Sequence, residues 1–191
     1  LAWGFGSPSQ TRAVDGVVHV DCENGRDSPE FEGRPSTAFR TLGYALSRVD
    51  AAGLAEVEIL LSPCTYGDLP AGGEELFPVV VPARLRKLRV AASSEVAEIR
   101  NSSTVSASLV VEPGADGSLL DLVLEGISFQ GGRSAAAFHL ASGQEASMEI
   151  IRCSFRSQDA QGLGVYLAGQ ARGKLAVRES SFRTGFGGVS A

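Results

Sequence analysis

The amino-acid sequence predicts an all-β fold built as a coil of stacked parallel turns, and three observations carry that reading. Short β-prone runs recur between clusters of Gly, Ser, Asn and Asp, the punctuation of a strand-rich chain. One stretch alone has helical spacing, and it lies early. Later segments repeat at a nearly constant period, which is how a stacked architecture announces itself in a sequence.

Residues 1–16 read as a leader to the domain. Leu1 to Ala13 lacks the basic start and long apolar middle of a secretory signal, and a first residue other than Met suggests either a removed leader or a segment of a longer protein. Residues 17–67 are expected to hold an N-terminal strand, a cap helix and a first turn. The strand is Val17–Val20, and a second β-prone run covers residues 57–61. Between them Ser36 or Thr37 can cap a helix whose apolar stripe is Phe39, Leu42, Leu46 and Val49 and which Gly53 stops.

Residues 68–191 are expected to form the stacked turns. Further β-prone runs fall at residues 78–81, 88–90, 108–111, 119–124, 137–140, 148–151, 165–167 and 175–177. Residues 122–129, 148–155 and 175–182 align with one another, so that Phe129, Phe155 and Phe182 stand 26 and 27 residues apart. A second strand keeps the same period, since Phe138 and Val165 are also 27 apart. Two strands sharing a period imply turns stacked about 4.8 Å apart, the spacing of hydrogen-bonded strands.

Equivalent residues then form columns. Leu122/Met148/Leu175, Leu124/Ile150/Val177, Ile127/Cys153/Ser180 and Phe129/Phe155/Phe182 would point inward, with Ser128/Ser154/Ser181 at a bend where hydroxyls can satisfy backbone groups. No turn buries its apolar face alone, so stability comes from neighbours. The remaining length accommodates roughly five turns. The early helix covers one end of the stack. After residue 187 the next strand is expected to begin, which suggests that the natural chain continues or that a partner covers this end.

The N-terminal motifs resemble a known group. His19-Val20-Asp21-Cys22-Glu23-Asn24-Gly25-Arg26-Asp27-Ser28, then Thr37-Ala38-Phe39-Arg40-Thr41-Leu42-Gly43-Tyr44-Ala45-Leu46, then Ile59-Leu60-Leu61-Ser62-Pro63-Cys64-Thr65-Tyr66 look like the cap of the pectate-lyase-like right-handed parallel β-helices. The cap is similar to that of the family nine polysaccharide lyases and of a related uncharacterised β-helix domain. The resemblance implies a right-handed parallel β-helix with an N-terminal helical cap, and it says little about activity because one fold hosts many. Cys64 departs from the Gly that is usual there. In the family the first strand and the one ending near Tyr66 are neighbours, which implies that Cys22 and Cys64 can be bridged; the alternative is two unrelated buried thiols. A bridge would favour an oxidising compartment, and a secreted or cell-surface location is expected. Cys153, on an inward column, reads as a buried thiol.

Charge narrows the function classes. Seventeen Lys+Arg against 22 Asp+Glu give a net charge of −5 without any basic block, which disfavours nucleic acid as a partner. No apolar run approaches the length of a membrane span. Three cysteines without a C-x-x-C pair argue against structural zinc, and no cofactor is expected.

Lyases and hydrolases of this fold work through clustered acids, which would appear as Asp or Glu stacked on adjacent turns. The outward columns Val123/Glu149/Ala176, Glu125/Ile151/Arg178 and, at the bend, Gly126/Arg152/Glu179 hold no such pair, and Arg152 and Glu179 are expected to form an exposed ion pair. No catalytic residue is assigned. Asp21, Glu23, Asn24 and Asp27 offer oxygen ligands for calcium, but N-G-x-D is also ordinary turn chemistry, with Gly25 at positive φ; no metal site is assigned. His139 and Tyr166 stack on the outward face of the second strand with Val110 beside them, a surface able to receive a sugar ring or another protein. Asn101-Ser102-Ser103 is a glycosylation sequon, expected in a polar loop.

The reading is a non-enzymatic extracellular or surface module, rigid, binding polysaccharide or protein, with end-to-end assembly as a further expectation. Its rival is part of a polysaccharide lyase or glycoside hydrolase whose catalytic turns lie outside this segment.

Overall fold

The structure is a computed structural model, and it describes residues 16–67, 77–101, 108–111, 120–131, 138–140, 145–157, 165–167, 172–183 and 189–190. The leader up to residue 15 and the acidic loop at 69–76 lie outside them. The elements run β1 (Val17–Val20), α1 (Leu42–Ala51), β2 (Glu56–Leu61), β3 (Thr65–Gly67), β4 (Val79–Val81), β5 (Lys87–Ala92), β6 (Ala97–Asn101), β7 (Leu109–Val111), β8 (Leu120–Glu125) and β9 (Ile127–Gly131). They continue with β10 (Phe138–Leu140), β11 (Glu145–Ile151), β12 (Ser154–Ser157), β13 (Val165–Leu167), β14 (Arg172–Arg178), β15 (Ser181–Arg183) and β16 (Val189–Ser190). The protein is mostly β, with a single helix among the described residues.

All named strands pair in parallel, in three open sheets. The first runs β1-β2-β5-β8-β11-β14, the second β3-β6-β9-β12-β15 and the third β4-β7-β10-β13-β16. From β2 onward each sheet takes every third strand. The sequence suggested two strands per repeat; the structure has three, because the run from Leu122 to Phe129 is cut at Gly126 into β8 and β9. Gly126 has φ +69°, and Arg152 and Glu179 take the same left-handed conformation in the following repeats, at φ 49° and 50°. A left-handed residue at this corner ends one strand and turns the chain onto the next sheet.

Register bears out three of the four expected columns, those through Met148, Ile150 and Phe155. Leu122 pairs with Met148 and Met148 with Leu175, Leu124 with Ile150 and Ile150 with Val177. Leu88 and Val90 extend these columns into β5, and Ile59 pairs with Val90. In the second sheet Tyr66, Ile99, Phe129, Phe155 and Phe182 stand in one column. The rings of Phe129 and Phe155 stack at 5.0 Å, and those of Phe155 and Phe182 at 4.6 Å. The core is the apolar interior these columns share with Val79, Val81, Leu109 and Val111 of the third sheet.

The N-terminal end is closed by the chain itself. Gly33 and Phe39, on either side of a turn at residues 34–37, pair with the outer edge of β1: His19 N–H donates to the Gly33 carbonyl at 2.6 Å and Phe39 N–H to the His19 carbonyl at 3.0 Å. This pairing corrects the expected helix start. Phe39 is held beside Val20 in a parallel bridge, so α1 begins after it, with Thr41 as the N-cap accepting from Tyr44 N–H at 3.2 Å. Asp27 fixes that cap by accepting from Arg40 N–H, Thr41 N–H and the Thr41 hydroxyl at 2.8, 3.1 and 2.6 Å. Leu42, Ala45, Leu46 and Val49 face the core. Tyr66 ties the next segment in, its buried hydroxyl donating to the Val20 carbonyl at 2.8 Å.

Candidate functional site

The outer faces of the sheets carry the polar chemistry. On the first sheet, outward residues alternate in sign along a column: Glu56 pairs with Lys87 and Lys87 with Asp121. Beside it, Arg89 donates to both Glu58 and Glu125, and Glu125 also receives Arg152. Arg178 binds Glu149 at 3.1 Å. Hydrogen bonding from Arg89 pulls the Glu125 carboxyl below its usual range; burial works against it, and the charges of Arg89 and Arg152 add to the lowering. Every acid in these columns stands next to a base, a hydroxyl or an apolar residue.

The expected Arg152–Glu179 pair is replaced by Arg152–Glu125. Both Arg152 and Glu179 occupy the corner position, and the Arg152 side chain reaches back across β8, while its N–H donates to the Arg178 carbonyl at 3.0 Å. The serine column also behaves differently from expectation. Ser154 donates to the Ser128 hydroxyl at 3.0 Å, so the hydroxyls bond each other, and it is Ser180 that serves the backbone, accepting from Cys153 N–H and donating to the Arg178 carbonyl.

On the third sheet, His139 pairs with Val110 and with Tyr166, and Val80 and Ser190 complete the column. Val80 is exposed, between buried Val79 and Val81. The backbone thus brings positions 139 and 166 together on the register line that faces outward at Val80.

The acidic turn is engaged in turn chemistry. Asp21 accepts from Glu23 N–H and Asn24 N–H at 2.9 and 3.0 Å and from the Asn24 amide at 3.3 Å. Burial pushes its carboxyl up, but these bonds and one from Ser62 outweigh that and hold it below the usual value. Asp27 is committed to the helix cap. Among the described residues no group of three or more His, Cys, Asp or Glu is placed to hold a metal ion. Gly25 does not take the positive φ expected of it; its role is close approach, since a Cβ there would lie 2.2 Å from the Phe39 carbonyl oxygen.

Cys22 and Cys64 form a disulfide with a Cα separation of 6.2 Å, and Cys153 is a buried free thiol whose pKa desolvation raises. Asn101 ends β6 and is 1% exposed. Ser102 and Ser103 lie outside the described residues.

The sequence reading missed the Glu58–Arg89–Glu125–Arg152 network and the outward column Arg100/Gln130/Arg156/Arg183 on the second sheet. Arg100 and Gln130 both bind Glu98 there, at 2.5 and 2.9 Å. Aligning residues 87–92 with 121–125 would have revealed the first, but the loops between them differ in length from the later ones. No family model, curated protein or solved structure matches the chain. No helix among the described residues is long and apolar enough to cross a membrane.

Proposed function

We propose that the chain is a right-handed parallel β-helix of the pectate-lyase-like kind, serving as a rigid extracellular or surface module that binds polysaccharide or protein along its outer faces. The observation that carries this is the shared register of three parallel sheets, which lines up outward residues in straight columns across successive repeats. Connections between parallel strands of one sheet are right-handed in nearly all proteins, which supports the hand. The N-terminal motifs support the kinship.

Binding is assigned to the third sheet, where the line through Val80, Val110, His139 and Tyr166 offers apolar and aromatic residue types at strand spacing. A sugar ring stacks on such groups, and so does an interface. The acids of the described columns are neighbours of bases, hydroxyls and apolar residues, an arrangement that supports a structural and binding role over paired-acid catalysis. The Cys22–Cys64 bridge agrees with an oxidising compartment.

The test is a polysaccharide and surface-extract binding screen with the chain and its His139→Ala/Tyr166→Ala variant. Binding that weakens in a variant of unchanged melting temperature supports the reading. Binding that is equal in both overturns the assignment.

A further inference from the structure

The second sheet carries its cations differently from the first. On the first sheet Arg89 and Arg178 lie against Glu58, Glu125 and Glu149. One outward column of the second sheet runs Gly67, Arg100, Gln130, Arg156 and Arg183 and holds no acid. Its companion, two residues earlier on each strand, runs Thr65, Glu98, Ser128, Ser154 and Ser181, with Glu98 its one acid. Glu98 is committed, accepting from Arg100 at 2.5 Å and from Gln130 at 2.9 Å. Arg156 and Arg183 follow on the next two strands, and among the described residues neither meets a carboxylate.

Both side chains stand outside the core. They follow Phe155 and Phe182, whose rings stack on the inner side, and both are exposed, as is Ser181. The exposure of Arg156 is not an end effect, because β12 lies between β9 and β15. Parallel register sets Arg156 directly beside Arg183, with the backbones about 4.8 Å apart. Like charges at that spacing repel, and an anion bound between them relieves the repulsion.

The chemistry narrows the anion. One guanidinium fork saturates the two oxygens of a carboxylate, whereas a sulfate ester has three terminal oxygens and can bridge two forks. Phosphate polymers are the polyanions of the cell interior, and the Cys22–Cys64 bridge favours an oxidising compartment instead. Exposed ion pairs are individually weak, so a lone ion gains little, while a polymer that repeats the ester gains by multivalency. Arg100 stands two strand spacings from Arg156, about 10 Å, with donors beyond those that Glu98 uses. The serine hydroxyls of the companion column flank this path and can bond sugar hydroxyls.

We propose that the outer face of the second sheet binds a sulfated polysaccharide, with one sulfate ester bridging Arg156 and Arg183 and sugar hydroxyls meeting Ser154 and Ser181. The proposal rests on the reading of the chain as a polysaccharide-binding module and names the class. It uses a different sheet from His139 and Tyr166, so either assignment can fail alone.

The probe is dextran sulfate, titrated into the 191-residue chain beside unsulfated dextran, polygalacturonate and polyphosphate of matched length. A net charge of −5 gives the chain no general attraction for polyanions, so binding reports a local site. Dextran sulfate binds most tightly of the four, and salt weakens it. Arg156→Gln/Arg183→Gln weakens it about tenfold at an unchanged melting temperature. Arg156→Lys/Arg183→Lys keeps the charge, loses the fork and falls between. Arg178→Gln, on the first sheet, and His139→Ala/Tyr166→Ala bind as the parent does. Amide shifts in the titrated parent fall within residues 154–156 and 181–183, which locates the site without any variant. No binding of dextran sulfate, equally tight binding of polygalacturonate or polyphosphate, shifts confined to other residues, or a glutamine variant of unchanged affinity each overturns the proposal.

Discussion

The ring of Phe155 lies 4.6 Å from that of Phe182, with their planes within 4° of parallel, although the two belong to successive repeats. Phe129 continues the stack on the other side at 5.0 Å. Side chains distant in sequence thus form one continuous column, and the interior is as stable as its neighbours make it.

Position along that column sets the cost of truncation. Phe155 is 2% exposed and has a ring on each side, so Phe155→Ala is expected to cost about 3–5 kcal/mol in urea denaturation. Phe182 is half-buried at the edge, and Phe182→Ala should cost less than half as much. Equal losses would contradict the ordering.

The corner between the first two strands of each repeat is a second test. Glu179 is an exposed non-glycine residue at φ 50°, where a Cβ costs roughly 1–2 kcal/mol. Glu179→Gly is expected to raise stability by about 1 kcal/mol after the added freedom of glycine in the unfolded chain is subtracted. Gly126→Ala should do the reverse, since it adds a Cβ 3.3 Å from that of Ala92 at φ +69°. Paired melting curves check both.

Cysteine accessibility tests the N-terminal bridge. In denaturant without reductant, alkylation should modify Cys153 alone; with reductant it should modify all three cysteines. Opening the bridge should lower stability by about 2–4 kcal/mol. Three modified thiols without reductant would remove the disulfide from the account.

Acid should destabilise the protein in two stages. Burial lowers the His19 pKa from 6.5, so the unfolded chain binds the proton first and stability falls as pH drops from about 6.5 toward the folded value. Glu125 and Asp21 are lowered from 4.5 and 3.8, and their contribution, present above those values, is lost as pH falls through the folded ones. His19→Gln should flatten the upper limb and Glu125→Gln the lower one, read from melting temperature against pH.

The later repeats were legible because their period is short and regular: Phe129, Phe155 and Phe182 mark it, and the observed register matches residue for residue. The strands β3 and β6 were harder to find. Their partners lie farther apart in sequence, and a strand of three residues such as Thr65–Gly67 leaves no alternation to read. The helix was found but started too early, because Phe39 suits a helical stripe and a bridge beside Val20 equally well. The ion-pair network needed long-range register, which local spacing does not contain.

The central claim is the parallel register itself, and interstrand nuclear Overhauser contacts measure it directly. The account predicts ring-to-ring contacts linking Phe129 to Phe155 and Phe155 to Phe182, with backbone contacts linking Ser128, Ser154 and Ser181 in the same order. Close Hα–Hα contacts between strands adjacent in sequence, the mark of antiparallel hairpins, would contradict it.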